Sequence, residues 1–515
     1  MGEIYNSLLC NAAKTGDLKE LKFLLDDMPR EEVLRLVSAK TNRVTPLVLA
    51  CMGGHQNVVE YLVDECDASV EQTGSLPFYD GEMIEAPPLF LAATAGHTDI
   101  VKLLIISGAA INVEAQGMTP LLVAATHRHQ DIVEYLISHT DIVTKQERID
   151  ALELLGASFI DRNQQDLQGA LKLWKRAMEE RYEDGVLVVP KALIKPPISA
   201  YNNIQEVESV TELEQIITDQ DSMQMQALLV RERILGPVNP YTRRRIWYRG
   251  DMYKKFGNLK RCITLWMYAI DMMPKSNDAK RNAISDLIKL FLWNQRREGW
   301  LLENFSCIMM AFRRIVKEVR EAKRAMETEE LPDENIIIHV HYTILVALRF
   351  VKLLTKVIPD LKMAEEVLKI RQLVHEFVMI GAKGEFGVTP LHLECSQPIR
   401  LLSIPTINLL LECGAPVDER DNDGNTALHT AAIKINHKKS MKVVIQSLLK
   451  NGAHPDSGNK NKQRFYDLIV GMPLHEITNS KVPFSLKCLA AQVVRKHDLE
   501  LDSLPITLQT IVLNH

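Results

Sequence analysis

"VTPLVLACMGGHQNVVEYLV" (residues 44–63) recurs twice along the chain in altered form, and this recurrence indicates a repeat fold. The related stretches are "APPLFLAATAGHTDIVKLLIISGAAIN" (86–112) and "MTPLLVAATHRHQDIVEYLI" (118–137). Their aligned positions begin at Thr45, Pro87 and Thr119, so the offsets are 87 − 45 = 42 and 119 − 87 = 32 residues. Three units in one register predict a solenoid in which each unit buries its apolar face against the next.

The spacing is that of the ankyrin repeat, about 33 residues, with an insertion of roughly nine residues in the first gap. Proline fits the first turn of a helix, where its missing N–H has no partner to lose. The pairs Gly54-His55 and Gly96-His97 are predicted to form the turns between two short helices. A preceding stretch from Ile4 to Leu25 is predicted to be a degenerate first repeat that caps the stack.

The insertion, "QTGSLPFYDGEMIEA" (72–86), contains Gly, Pro and Asp-Gly, which mark a loop or the tip of a hairpin. Two interpretations remain open for it. It is either a solvated decoration or a contact loop, since ankyrin stacks bind partners along their extended surfaces.

The middle of the chain is also helical. The stretch 150–178 has the pattern of a helix pair, and 245–274 matches the tetratricopeptide pattern, with Trp266 and Ala269 at its helix-packing positions. Residues 280–380 show apolar residues at helical spacing and predict further helices.

The ankyrin pattern returns near the end, at "GVTPLHLE" (387–394) and "DNDGNTALHTAA" (421–432), and a third, truncated unit starts at Asp456. We therefore predict an all-α protein with an ankyrin solenoid, a tetratricopeptide-like middle, a second ankyrin block and a helical C-terminal box. The expected domains are 1–146, 147–279, 280–385, 386–480 and 481–515.

Composition and motifs exclude several classes of function. Lys plus Arg is 61 against 66 Asp plus Glu, a formal net charge of −5, so nucleic acid is not expected as a partner. Eight cysteines without zinc spacing favour a reduced intracellular compartment and no metal site. The most apolar window, 336–354, carries two histidines, an arginine and a lysine, which predicts a buried helix or helix pair and not a membrane span. No phosphate-binding glycine loop or nucleophile motif is present, so no catalytic residue and no cofactor are expected.

The tail 485–515 fits no repeat, yet it carries two apolar stripes. Leu486, Ala490 and Val494 follow i, i+4, i+8 spacing on one helical face, and Leu504, Leu508, Ile511 and Val512 form a second stripe after Pro505. The tail is either a cap on the solenoid or a binding element. A cap should present a polar outer face, and two apolar stripes exceed what one terminal repeat must cover.

The tail pattern resembles the bipartite box of cullin–elongin ubiquitin-ligase receptors. Ser485, Leu486, Ala490 and Val494 match the elongin C box, and the second part matches the box for the second cullin class at Leu504, Pro505, Leu508, Ile511 and Val512. Together with the ankyrin, tetratricopeptide, ankyrin order, the chain resembles the feminization (Fem-one) family over nearly all its length. The stretches "ALELLGASF", "LLVRERILGP" and "SLKCLAA" are similar to that family.

The resemblance implies a non-catalytic substrate receptor that recognises C-terminal degrons, often ending in arginine, and delivers them for ubiquitination and degradation. The implied partners are elongin B/C, a cullin of the second class, a RING subunit and degron-bearing proteins, with no nucleic acid and no membrane. The implied location is the cytoplasm, extending to the nucleus. The insertion 72–86 would be a finger loop that contacts substrate through Tyr79 and Asp80. The Asp80 carboxylate would bind the terminal arginine.

The sequence departs from the family in one respect. Members usually have a longer front ankyrin block, whereas here "GAAINVEA" runs directly into "QGMTPLL". Thr126, His127 and Arg128 occupy the turn where the family's second arginine-binding carboxylate would be expected. The alternative function is an ankyrin and tetratricopeptide interaction scaffold without ligase association.

Overall fold

Helices form most of the structure, a computed structural model that describes residues 2–77, 83–161, 166–183, 185–191, 197–274, 278–328, 333–398, 400–434 and 438–469. The chain divides into two units, Met1–Phe256 and Gly257–His515. The all-α class is confirmed. The strands within the described residues are two short hairpins, both in the first unit.

The first unit begins with a stack of short helices. They are α1 Gly2–Thr15, α2 Leu18–Leu25, α3 Arg30–Ser38, α4 Pro46–Gly53, α5 Gln56–Glu60 with a following π-helical turn Tyr61–Glu65, α6 Pro88–Ala95, α7 Thr98–Ile106, α8 Pro120–Thr126 and α9 Gln130–Ile137. The predicted first repeat corresponds to α1 and α2, whereas α3 was not predicted. Between α5 and α6 lies the first hairpin, formed by β1 Gly74–Pro77 and β2 Met83–Ala86.

The helix starts and stops in this stack follow from the repeat motif. The Thr45 hydroxyl accepts the N–H of Val48, and Thr119 does the same for Leu122, each at 3.3 Å. These contacts satisfy N–H groups that have no partner inside the helix, and the proline that follows each threonine starts the helix. Gly54 then ends α4 with φ +76°, a conformation in which a side chain would be strained.

The rest of the first unit surrounds one buried helix. Its elements are α10 Lys145–Ile160, α11 Leu167–Glu180, α12 Val210–Ile216, α13 Gln220–Leu235, α14 Pro240–Lys255, strands β3 Tyr182–Glu183 and β4 Val186–Leu187, and a 3₁₀ turn Ser199–Tyr201. Helix α10 packs against α8, α11 and α13, so it joins the ankyrin stack to the helical middle. The predicted helix pair is α10 and α11. A Cβ at Gly156 would lie 2.5 Å from the Trp174 ring, and this close approach explains the glycine.

The second unit opens with six helices. They are α15 Leu259–Asp271, α16 Asp278–Asn294, α17 Trp300–Glu303, α18 Phe305–Thr328, α19 Glu334–Val357 and α20 Ala364–Met379, with 3₁₀ turns at Ile358–Asp360 and Glu385–Gly387. Trp266 and Ala269 are buried, as expected of packing residues. The two helices of the predicted tetratricopeptide unit, α14 and α15, belong to different units of the chain.

Helix α19 contains the most apolar window of the sequence. Among the described helices it is the one long and apolar enough to cross a membrane. Most of that window is buried against α16, α18 and the neighbouring ankyrin helices, so α19 is the core helix of the second unit. The structure shows one helix here, and not a pair.

The second ankyrin block closes the described part of the chain. It consists of α21 Pro390–Cys395, α22 Ile404–Glu412, α23 Ala427–Lys434, α24 Lys438–Lys450 and a 3₁₀ turn Phe465–Leu468. Helix α21 packs on α23, and α22 packs on α24, as in a stack of two repeats. The predicted truncated unit contributes the 3₁₀ turn, whose Phe465 is buried against α23.

Candidate functional site

The finger hairpin stands where the sequence analysis placed an insertion. Strands β1 and β2 are antiparallel, with Gly74 opposite Ala86 and Pro77 opposite Met83. A Cβ at Gly74 would come within 2.8 Å of the Val48 side chain, so the base of the hairpin lies directly on α4. The interpretation of the insertion as a hairpin is therefore confirmed for its stem.

Polar contacts hold the stem to the segment between α3 and α4. The Ser75 N–H donates to Arg43 O at 2.9 Å. The Glu85 carboxylate accepts from the Thr73 hydroxyl at 2.7 Å and pairs with Lys40 Nζ at 3.2 Å. The hydrogen bonds from Thr73 and Lys40, and then the Lys40 charge, lower the pKa of Glu85. The stem is anchored, and its register is fixed on both strands.

The predicted substrate-binding residues lie beyond this stem. Tyr79 and Asp80 fall in 78–82, which is outside the described residues. Pro77 and Met83 are paired, so those five residues connect two positions that the strand pairing brings together. The predicted elongin-binding and cullin-binding residues of the tail lie outside the described residues as well: Ser485, Leu486, Ala490, Val494, Leu504, Pro505, Leu508, Ile511 and Val512. All of these site assignments remain predictions.

Histidines set the register of the front ankyrin stack. The Nε2 atoms of His55, His97 and His129 lie 2.9, 3.1 and 3.0 Å from backbone carbonyl oxygens of the preceding repeat. Because a carbonyl oxygen only accepts, each ring must donate through its Nε2–H. These histidines lie in the turns that follow α4, α6 and α8, the first helix of each repeat. All three rings therefore have a structural role.

The second ankyrin block uses histidines in a different position. His392 and His429 lie inside α21 and α23, and their Nε2–H groups donate forward to Asn425 O at 2.9 Å and Gln463 O at 3.1 Å. Their Nδ1 atoms accept the N–H groups of Thr389 and Thr426. Burial lowers the pKa of both rings, which agrees with a neutral form that accepts at Nδ1.

The second unit contains a buried charge cluster that was not predicted from the sequence. The Glu318 carboxylate lies 2.7 Å from Lys280 Nζ, 2.9 Å from Arg314 Nη1 and 3.1 Å from His339 Nε2. Burial opposes ionisation of Glu318, but the His339 hydrogen bond and the charges of Lys280 and Arg314 outweigh it and lower the pKa to about 2. The only sequence signal was the i, i+4 spacing of Arg314 and Glu318. The cluster joins α16, α18 and α19.

The arrangement of His339 and His341 is structural. His341 Nδ1 accepts the N–H of Glu385 at 3.2 Å, so the two rings serve different partners. Across the described ranges, no group of three or more His, Cys, Asp or Glu side chains is placed to hold a metal ion.

Comparisons with known proteins agree with the repeats. A family model described as "Ankyrin repeats (3 copies)" matches residues 79–146, and one described as "Ankyrin repeat" matches 42–75 and 423–460. The Protein fem-1 homolog C of Homo sapiens is 33% identical, with 98% of both chains covered. A fem-1 homolog of Drosophila melanogaster is 29% identical over 99% of this chain and 100% of its own.

The alignment with the human relative is longer than this chain. The comparison with the human relative spans 624 positions against 515 residues here, so at least 624 − 515 = 109 positions are filled only in the relative. The Protein fem-1 homolog A of Danio rerio is 34% identical over 84% of this chain and 64% of its own length. Since relatives more than 30% identical cover nearly the whole chain, it belongs to the fem-1 family of ankyrin-repeat proteins.

Proposed function

We propose that this chain is the substrate-recognition subunit of a cullin–RING E3 ubiquitin ligase and is itself non-catalytic. Family membership and two ankyrin blocks support a repeat-based interaction protein. The observation that carries the ligase role is the tail. Two consecutive apolar stripes match the elongin C box and the cullin box position by position.

In this role the chain would position a substrate relative to the ligase subunits. The first stripe, with Leu486 at its start, would bind elongin C through one helical face, and Leu504 with Pro505 would select the cullin. The ankyrin repeats would hold a substrate, so that its lysines stay near the RING-bound ubiquitin carrier at high effective concentration. We place this assembly in the cytoplasm and the nucleus.

The finger hairpin is the proposed contact for a C-terminal degron. A guanidinium is best held by carboxylates in a two-pronged geometry, and Asp80 with Tyr79 beside it would supply one side of that site. Peptides ending in Arg should bind the full chain more tightly than the same peptides ending in Ala. Asp80→Ala should remove that difference, while Glu82→Ala on the same loop should leave it.

The decisive experiment is capture of elongin B/C by the full chain. Burying a leucine side chain contributes about 1.5–3 kcal/mol, so Leu486→Ala should weaken elongin binding at least tenfold. Lys487→Ala, a neighbour outside the pattern, is the control and should bind as wild type does. If the wild-type chain fails to capture elongin B/C, or Leu486→Ala binds equally well with an intact helical signal, the tail is a cap and the chain is a scaffold.

A second variant separates the two stripes. Replacing Leu504 and Pro505 with polar residues should leave the elongin complex intact and remove the cullin. Cullin capture that survives this double change would show that the second stripe does not select the cullin.

A further inference from the structure

Three loop tips of the second ankyrin block stack into one continuous row, which we call the tip row: 385–388, 421–425 and 459–463. A Cβ at Gly387 would lie 2.3 Å from Asn422 Oδ1, and the Asn422 N–H donates to Phe386 O at 2.8 Å. One repeat further, a Cβ at Gly424 would lie 2.9 Å from the backbone nitrogen of Lys460. The glycines therefore allow each tip to contact the next one directly.

Phe386 is the anomalous residue of this row. It has φ +57° at the first central position of a two-residue turn, closed by the Val388 N–H donating to Glu385 O. The front block makes the same turn with a polar residue, Asn42 or Gln116, at the same position. A bulky aromatic residue with positive φ is strained, and turns of this kind favour Asn, Asp or Gly.

Packing does not compensate this strain. The Phe386 side chain is 74% exposed, so its ring contributes little to the folded core. Strain kept in a sparsely populated backbone region points to a functional constraint. An exposed aromatic ring held on a rigid turn is a suitable anchor for a partner's apolar side chain.

The charges of the row are arranged asymmetrically. At the far end, Lys460 and Lys462 are both exposed, and within the described part of the chain neither ammonium forms an ion pair. The acidic groups, Glu385, Asp421 and Asp423, lie on the first two tips. Arg464, beside the last tip, is paired with Asp467. The row thus runs from an aromatic anchor, across an acidic middle, to a basic end.

We propose that the tip row binds an extended peptide segment of a partner protein. The segment places an apolar side chain on Phe386, crosses Asn422 and Asp423 with neutral residues, and ends in carboxylates at Lys460 and Lys462. Carboxylates over the middle tip would be repelled by Asp423, which fixes the direction of binding. This site is independent of the elongin and cullin boxes, so it can exist whether or not the chain joins a ligase.

The test is fluorescence anisotropy of the full chain with three labelled peptides. The first is Trp-Gly-Ser-Gly-Ser-Glu-Glu, the second has Ala for Trp, and the third has Lys-Lys for Glu-Glu. Wild type should bind the first at least fivefold more tightly than either of the others. Phe386→Gly should abolish this preference for Trp over Ala. The same variant should raise the thermal unfolding midpoint, because glycine removes the strain at positive φ.

Charge reversal tests the other end of the row. Lys460→Glu with Lys462→Glu should weaken the acidic peptide at least fivefold and favour the Lys-Lys peptide. The control is Lys362→Glu with Lys450→Glu, two exposed lysines outside the row with the same change of net charge, and it should bind as wild type does. The proposal is overturned if the three peptides bind alike, if none binds at millimolar concentration, or if Phe386→Gly binds as wild type does.

Discussion

Both ankyrin blocks fix the register between neighbouring repeats with histidine hydrogen bonds, but the histidines occupy different positions in the repeat. In the front block the histidine lies in the turn between helices and donates back to the preceding repeat. In the second block it lies inside the inner helix and donates forward to the next repeat. The front rings are partly exposed, whereas His392 and His429 are 2% and 0% exposed.

Hydrogen bonds of the same kind therefore contribute unequally to stability in the two blocks. A partly exposed histidine that is lost leaves a carbonyl that water can reach. A buried one leaves unsatisfied backbone groups and a cavity. We therefore expect the second block to depend on its histidines much more than the front block does.

The largest expected effect is from His429→Ala. The ring accepts the Thr426 N–H at 3.2 Å and donates to Gln463 O at 3.1 Å, so its loss leaves the buried Thr426 N–H and the partly buried Gln463 carbonyl without these partners. We expect the second block to lose about 3 kcal/mol, since a cavity is left as well. Native-state hydrogen exchange of residues 421–469 measures this loss locally.

His97→Ala is the matched variant in the front block. It removes one hydrogen bond of 3.1 Å from a partly exposed ring, which should cost about 1 kcal/mol or less. Equal losses of stability at His97 and His429 would contradict this expectation, because burial would then have no bearing on the cost.

Acidification provides the second test. Burial lowers the folded-state pKa of His392 and His429 below the ordinary value of 6.5. The unfolded chain therefore binds more protons just below pH 6.5, so the stabilisation is complete above that pH and is lost as the pH falls towards the folded pKa values. The protection factors of the second block, which correct hydrogen exchange for the intrinsic exchange rate, should decrease from pH 7 to 5. The variant His392→Gln should reduce this dependence, and an unchanged dependence would contradict the assignment.

The comparison also shows what the sequence could and could not predict. The repeats, the finger insertion and the packing role of Trp266 followed from spacing, because stacked units must repeat their apolar faces. The direction of the histidine hydrogen bonds did not follow, since Gly-His and Leu-His motifs both suggest a turn or helix residue without naming its partner. The Glu318 cluster was missed because Lys280 and His339 are brought to it by tertiary packing. The partners assigned to the tail and to the tip of the finger rest on sequence resemblance, and these residues lie outside the described ranges.

The smallest expected effect concerns the turns at the loop tips. Gln116 has φ +50° and precedes Gly117 at φ +70°, the two-residue turn for which Asn-Gly is the preferred pair. Gln116→Asn should therefore stabilise the front block by roughly 0.5 kcal/mol, because asparagine tolerates positive φ better than glutamine. Phe386→Asn places asparagine at the equivalent position of the second block. Phenylalanine tolerates positive φ less well than glutamine does, so the increase in stability should be larger there. Thermal unfolding of both variants beside wild type gives the order. A smaller gain at Phe386 than at Gln116 would mean that the aromatic ring stabilises its own turn, and the strain argument for the tip row would fail.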